Sequence, residues 1–523
     1  MRVAGSHHRD ADARRWWEPG SRASTFRSSM PAVSPAVRLR YETLPSRPCG
    51  PPGMPMNRIT PLILAVALFM EQMDSTVIAT ALPTIATDLG AGPITLKLAL
   101  TSYMVALAIF IPVSGWMADR YGAKRVFRAA IVVFMLGSLL CAISGSLLSF
   151  VAARFLQGMG GAMMTPVGRL VLLRTTKKSE LVSAMALLTI PALLGPITGP
   201  PVGGFITTFF SWHWIFLINI PIGLIGLWLS SIYLPEIAPI DTGRIDWTGF
   251  ALSAVAASGL VFGLSVMSLP ALPVWVGAAA TVAGVISMIL YVLHARRHPA
   301  PLLNLALFAN RSFRASIIGG TLFRIAAGAT PFLLPLMLQL GFGMTAFESG
   351  MTTFIAAVGA ISTKFIARRA FAAAGFRNVL IFAGLFGAIT TGANAFFTPA
   401  TPILLIMAVL LIGGFCRSFF FTGVNTLGYA EIEDSAASQA TSLTSVLQQV
   451  SLALGVAVAA SILEASTRIT GETLSLGDFH LAFAMVAGLS VFAILPFFGL
   501  PRDVGSAVSG YRRAAPDETL PVK

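Results

Sequence analysis

Two carboxylates, Glu71 and Asp74, stand one helical turn apart in a run of sequence, LILAVALFMEQMDSTVIATALP, that is otherwise uncharged. An ionisable group inside a lipid bilayer is costly and normally faces a cavity or a partner. A carboxyl group that takes up and releases a proton there is what a proton carrier needs. Three bases lie equally deep in apolar stretches: Arg154, Arg324 and Arg417. Arginine does not shed its proton, so each requires a carboxylate, a substrate anion or water nearby. The expectation is that these bases face the two acids, with Asp74, Glu71 and Arg154 forming the proton-coupling group. Two negative charges against three positive ones, with no mid-span acid in the second half, imply an anionic or zwitterionic substrate such as an amphipathic organic acid. Bases that only pair across helices are the other reading. Gln157, Asn425 and Gln448 add uncharged polar groups, as substrate-cavity donors beside Arg324 and Arg417 or as helix-to-helix bonds.

The elements that must hold these residues are membrane spans. Hydrophobic residues make up 55% of the 523 and charged residues 11%, against roughly 25% charged in a soluble domain. Mean hydropathy is +0.78. Such a chain cannot cover its apolar surface in water, which excludes a cytosolic enzyme, a secreted domain and a disordered scaffold. Residues 1–57 differ from the rest, with nine Arg, four acids and eight Pro, and read as a disordered basic arm or as sequence upstream of a start at Met54 or Met56. From residue 60 follow fourteen apolar segments: 60–83, 94–117, 125–144, 149–173, 182–206, 213–234, 247–268, 272–294, 313–340, 346–369, 377–397, 402–429, 437–465 and 477–500. In lipid they must be helices, because each backbone group has to be satisfied within its own segment.

Loop charge sets the orientation. The loops after spans 2, 4, 6, 8 and 10 carry Arg120, Lys124, Arg125, Arg174, Lys177, Lys178, Arg244, Arg296, Arg297, Arg311, Arg368 and Arg369. The opposite loops hold little beyond Lys97 and Arg468. By the positive-inside rule the first set, and both termini, are cytoplasmic in a plasma (inner) membrane. The net charge of +14 is therefore loop asymmetry and not a nucleic-acid footprint. Cys49, Cys141 and Cys416 form no ligand cluster, and His213, His294, His298 and His480 have no metal spacing. No phosphate-binding loop or catalytic constellation occurs, so the reading is no enzyme, no metal and no cofactor, with energy drawn from a proton gradient.

Two motifs suggest movement. In GWMADRYGAKRVF (115–127), Gly115 and Gly122 allow helix ends to approach closely, while Asp119 sits among Arg120, Lys124 and Arg125 as a conformational latch. A degraded copy, KFIARRAFAAAGFRNV, follows span 10, as in transporters built from two related halves. In GPITGPPVGGF (195–205), Gly195, Pro196, Gly199, Pro200, Gly203 and Gly204 are expected to kink span 5.

These motifs resemble the major facilitator superfamily. MDSTVIATALP (73–83), RFLQGMGGAMMTPVGR (154–169), GPITGPPVGGF (195–205) and WHWIFLINIPIG (212–223) together are similar to its fourteen-helix drug:proton antiporters of the EmrB/QacA type, and within them to the MdtD branch. The resemblance spans residues 57–500. It implies an all-α membrane protein of the major facilitator fold: a six-helix bundle (58–234), two inserted linker helices (235–312), a second six-helix bundle (313–500) and a cytoplasmic tail (501–523). It further implies a secondary active transporter, a proton-coupled antiporter exporting drugs or amphipathic metabolites by alternating access. A proton-coupled uptake symporter and a non-transporting membrane sensor are the alternatives. Asp74 matches the family's helix-one acid and Arg154 its fourth-helix arginine. Glu71 departs from the pattern, as does His213, where many relatives carry Arg. The partners implied are a small-molecule substrate, protons and the lipid bilayer, for a monomer, with nothing in the sequence to support a periplasmic adaptor.

Overall fold

The computed structural model describes residues 56–509 and 511, apart from 177–180, 238, 240–244, 268–272, 300, 433–435 and 471–473. The expectations for residues 1–55, for Lys177, Lys178 and Arg244, and for the end of the 501–523 tail lie outside the described residues. The first half of the chain forms α1 (Met56–Val77), α2 (Lys97–Tyr121), α3 (Ala123–Ala142), α4 (Leu147–Thr175), α5 (Leu181–Phe209) and α6 (Asn219–Tyr233). Two more helices, α7 (Trp247–Met267) and α8 (Val274–Arg297), precede α9 (Arg311–Leu336). The remainder comprises α10 (Ala346–Ala367), α11 (Arg369–Phe396), α12 (Ile403–Tyr429), α13 (Ala437–Thr470) and α14 (Leu476–Phe492). Thirteen spans among the described residues are long and apolar enough to cross a membrane, and the 29-residue α5 accompanies them. This is the all-α membrane architecture that the apolar periodicity dictates.

Local chemistry starts and stops these helices. Ser146 and Ser149 form a reciprocal capping box at the head of α4, and Thr345 with Glu348 does the same for α10. Asn310 caps α9 by accepting from the Phe313 amide at 2.9 Å. Gly122 joins α2 to α3 at φ +90°, and Gly375 interrupts the α10–α11 run at φ +73°, both in the region only glycine adopts cheaply.

Helix α5 works as a splint. Its backbone is helical without a break from Leu181 to Phe209. The glycines of this helix act through closeness. A methyl group on Gly195, Gly199 or Gly203 would collide with Met73, Thr76 or Val77 of α1, and one on Gly204 would collide with the Ala346 carbonyl at the head of α10. From the other side, Gly350 of α10 lies against the Pro200 carbonyl. One glycine stripe at four-residue spacing thus seats α1, and an adjoining position seats α10. The end of the molecule away from the basic loops is closed by these contacts, by Phe347 N donating to Thr208 Oγ1 at 3.1 Å, and by Gln339 Nε2 donating to the Thr80 carbonyl at 3.0 Å. Val77–Ala86 and Phe332–Leu338 merge there into one apolar cluster.

The loop after α2 departs from expectation in two ways. Nothing lies within 4 Å of where a Gly115 side chain would start, so that glycine makes no close approach; Gly122 serves its backbone angle. Asp119 pairs with Arg174 at the end of α4, 2.6 Å away; Arg120 and Arg125 are exposed and Lys124 half-buried. Gly204→Val should therefore cut the yield of monodisperse protein in detergent several-fold, whereas Gly115→Ala should leave it unchanged. Size-exclusion chromatography of both variants beside the native chain measures this.

Candidate functional site

Asp74 and Arg154 meet in the core of the first six helices, 2.6 Å apart and at 0% and 1% exposure. Two charges removed from water are tolerable only when geometry and further hydrogen bonds compensate the lost hydration. Here they do. Asp74 Oδ2 accepts from Arg154 Nη1, while Oδ1 accepts from Gln157 Nε2 and Asn219 Nδ2, each at 2.8 Å. Arg154 Nη1 also donates to Gln157 Oε1, and Gln157 Nε2 reaches Ser138 Oγ at 2.7 Å. Helices α1, α3, α4 and α6 are thereby tied at one point. The Arg154 guanidinium lies 4.3 Å from the Tyr103 ring centre and 5.8 Å from that of Phe216, an aromatic cover for the cation.

Glu71 has a separate partner. Its Oε2 accepts from Thr165 Oγ1 at 2.6 Å, so Glu71 and Asp74 are held by different side chains of α4 and α6. The Tyr103 hydroxyl is buried and without a hydrogen-bond partner in the structure. A methyl on Gly161 would start 3.0 Å from that hydroxyl and 3.5 Å from the Glu71 side chain, so the two flank the same small gap in α4. Ser138, Asn219 and Tyr103 were not among the expected site residues. Each is a common polar residue in an apolar span, and only the fold shows which of its faces meets Asp74.

On the opposite side of α1 lies a cavity of about 650 Å³ between α1, α5, α9, α10 and α12. Thr76 of α1, Ala79 and Thr80 of the 3-10 turn that continues it (Ile78–Thr80), and Pro196 and Pro200 of α5 line it. No Asp or Glu lines it; Arg417 and Asn425 do. Arg324, at 2% exposure, stands behind the wall, donating from Nη2 to Asn425 Oδ1 at 2.8 Å and lying 5.5 Å from the Phe421 ring centre. The expectation that all three bases face the two acids is corrected: only Arg154 does, among the described residues. Gln157 is not a cavity group, being sealed in the Asp74 network, and Gln448 is half-buried on α13 outside the lining. Buried charge also occurs at span ends. Lys97 is fully buried at the head of α2 with Glu464 as its opposite charge, and Asp478, at 2% exposure, accepts from the Ser475 amide at 2.7 Å.

At the basic-loop end, Asp246, His294 and His298 present ligand-type atoms within 4.8 Å of one another. Sequence spacing hides this group because 48 residues separate Asp246 from His294. Asp246 is already satisfied: it accepts from Gly249 N at 2.7 Å and from Leu302 N at 3.4 Å, and pairs with His294 at 2.8 Å. It reads as the joint that fixes α7 to α8. Burial pushes the Asp246 carboxyl up, but the bonds from Gly249, His294 and Leu302, with the charge of His294, outweigh it and hold the group below its ordinary value.

Comparison with known proteins follows the geometry. Residues 64–456 match the sequence family described as the Major Facilitator Superfamily. A Salmonella paratyphi B protein named MdtD, a candidate multidrug resistance protein, is 36% identical over 401 residues, covering 77% of this chain and 85% of the relative. Its namesake from Pectobacterium carotovorum is 39% identical over 402 residues, covering 77% and 86%. Among solved structures, a D-xylose-proton symporter superposes with TM-score 0.63 at 15% identity, covering 86% of this chain and 98% of the other. The human organic anion transporter MFSD10 gives 0.57 at 14%, covering 85% and 100%.

Two predictions come from this geometry. Breaking a buried pair from one side costs about 3–5 kcal/mol, so Arg154→Leu should lower the unfolding temperature more than Arg154→Leu combined with Asp74→Leu. A double-mutant cycle of thermal melts measures it, and simple additivity would contradict the pairing. A carboxylate depressed by folding stabilises above its unfolded pKa of about 3.9 and loses that contribution as pH falls through its folded value. Asp246→Asn should accordingly destabilise the protein at neutral pH, with the difference from the native chain shrinking below about pH 4, as paired melts would record.

Proposed function

The chain belongs to the major facilitator superfamily, and from that premise we propose how it couples protons to cargo. Members of this family are multi-pass transport proteins and not catalysts; this one is a secondary transporter of small molecules linked to proton movement. We infer two six-helix halves, 58–234 and 313–500, with α7–α8 inserted between them and both termini cytoplasmic. The observation that carries the coupling is that α1 bears the carboxylates on one side and cavity wall on the other. Asp74 and Glu71 turn toward α2, α4 and α6, while Thr76, Ala79 and Thr80 face the cavity. Neutralising Asp74 would leave Arg154 buried without a counter-charge, a state tolerable only if α4 and α1 re-pack, and that movement is transmitted through α1 to the cavity.

Direction divides two readings. Export against protons is supported by the identity with proteins named for multidrug resistance and by the antiporter-like stretch 195–205. Uptake together with a proton is favoured by the site itself. Simple antiport lets cargo and proton compete for one carboxylate, yet here the cavity has none, and proton and cargo can be bound at once on opposite sides of α1. A D-xylose-proton symporter shares the fold.

Growth of a pump-deficient bacterial host on a panel of toxic organic acids and cations separates them. Export should raise the tolerated concentration and uptake should lower it, and Asp74→Asn should abolish the change in either case. Identical growth of native and Asp74→Asn cells on every compound that the native chain affects would remove Asp74 from the coupling.

A further inference from the structure

We propose that the cavity takes an organic anion whose acid group is bound by Arg417, with the Asn425 amide as a second donor set by Arg324. This rests on the reading of the chain as a proton-linked carrier and names its cargo class.

The first support is what the cavity's hydroxyls do. Thr76 donates to the Met73 carbonyl at 3.1 Å, Thr353 to that of Ser349 at 3.0 Å and Thr426 to that of Thr422 at 2.8 Å. Ser418 donates across to the Ala360 carbonyl at 2.9 Å. Their protons are spent on backbone, so they offer acceptor lone pairs, and the threonines their methyl groups, to an occupant. Acceptors repel an anion, so these four hydroxyls do not supply its donor.

Arg417 supplies it. It has no ion-pair or hydrogen-bond partner among the described residues, and no carboxylate shares its cavity. Arg417 borders both the main cavity and a gap of about 20 Å³ edged by Thr390, Thr391 and Asn394, room for about one water. A permanently charged fork with five donors and no carboxylate in its cavity is complemented by an anion brought in from outside, and its planar geometry matches a carboxylate or sulfonate. Arg324 has a different part. By holding Asn425 Oδ1 it fixes which end of the amide is spent, leaving the NH₂ group as donor. Arg324 is thus a positioning residue. Eight residues separate Arg417 from Asn425, about 12 Å along α12. The cargo expected is an acid with a hydrogen-bond acceptor about a nanometre from its anionic group.

The cavity's preference for negative charge can be read without knowing the natural cargo. In a background with Cys49, Cys141 and Cys416 changed to Ser, Ser418→Cys and Thr422→Cys would each report on the cavity. Each is treated in proteoliposomes with anionic sulfonatoethyl methanethiosulfonate or cationic trimethylammonioethyl methanethiosulfonate, and rates are normalised to free cysteine. The expected result is a rate at least tenfold in favour of the sulfonate. Arg417→Lys should largely keep this preference and Arg417→Gln should abolish it. Arg324→Gln should change it less than Arg417→Gln. Faster reaction with the cation, or a preference unchanged by Arg417→Gln, would overturn the proposal. Asp74→Asn in the same background should retain the preference, so failure of the proton-coupling reading and failure of the anion site are told apart.

Discussion

A carboxylate and a guanidinium can share an apolar interior only if nearly every lone pair and N–H between them is occupied. Asp74 meets that condition with three donors from α4 and α6, and the rest of the first six helices is arranged around it. The demand reaches beyond the pair. Gln157 must turn both ends inward, so α3 must come close enough to offer Ser138, and Gly137 is the residue that lets α3 reach the Gln157 backbone. Tyr103 and Phe216 close the remaining faces of the guanidinium. A single desolvated charge pair thus fixes the depth and rotation of four helices at once.

Fixing α1 in this way also fixes the cavity. The register that brings Asp74 to Arg154 places Thr76 and Thr80 along the cavity wall, and the Gly195–Gly199–Gly203 stripe of α5 holds α1 there from behind. Neither helix can rotate alone, because the glycine surface has no slack for a displaced side chain. The two halves of the chain divide the electrostatic work. The first buries the Asp74–Arg154 pair, while the second leaves Arg417, among the described residues, unpaired in an aqueous-sized space.

Much of this was legible in the sequence. Lipid permits few backbone solutions, so charge-free runs gave the spans and basic loops their alternation, and the rarity of buried charge singled out Asp74, Glu71, Arg154, Arg324 and Arg417. What stayed hidden is what depends on which side of a helix a residue occupies across a distance in sequence. Asn219 lies 145 residues from Asp74 and is an ordinary Asn at a helix start. Arg324 was equally visible as a deep charge, but that it holds an amide and not an acid follows from the packing of α9 on α12. The helix-five motif was recognised for its helix breakers, whereas its glycines work by absence of volume. Composition cannot distinguish a bend from a close fit, since the same residues produce both.

The inserted pair α7–α8 has an asymmetric seat. It packs on α2 and α13, with Trp116 of α2 edge-on to Trp247 at 6.4 Å between ring centres, and Asp246 clamps its two members together. Where α2 meets α13 the molecule is therefore bound like the spine of a book; where α5 meets α10 it has glycine-smooth pages, held by contact and by the bond from Phe347 N to Thr208 Oγ1. Any opening that spreads α2 from α13 must drag a second pair of helices through the lipid, and any opening at α5 and α10 need not. The rocking axis of such a molecule is displaced toward its bound edge.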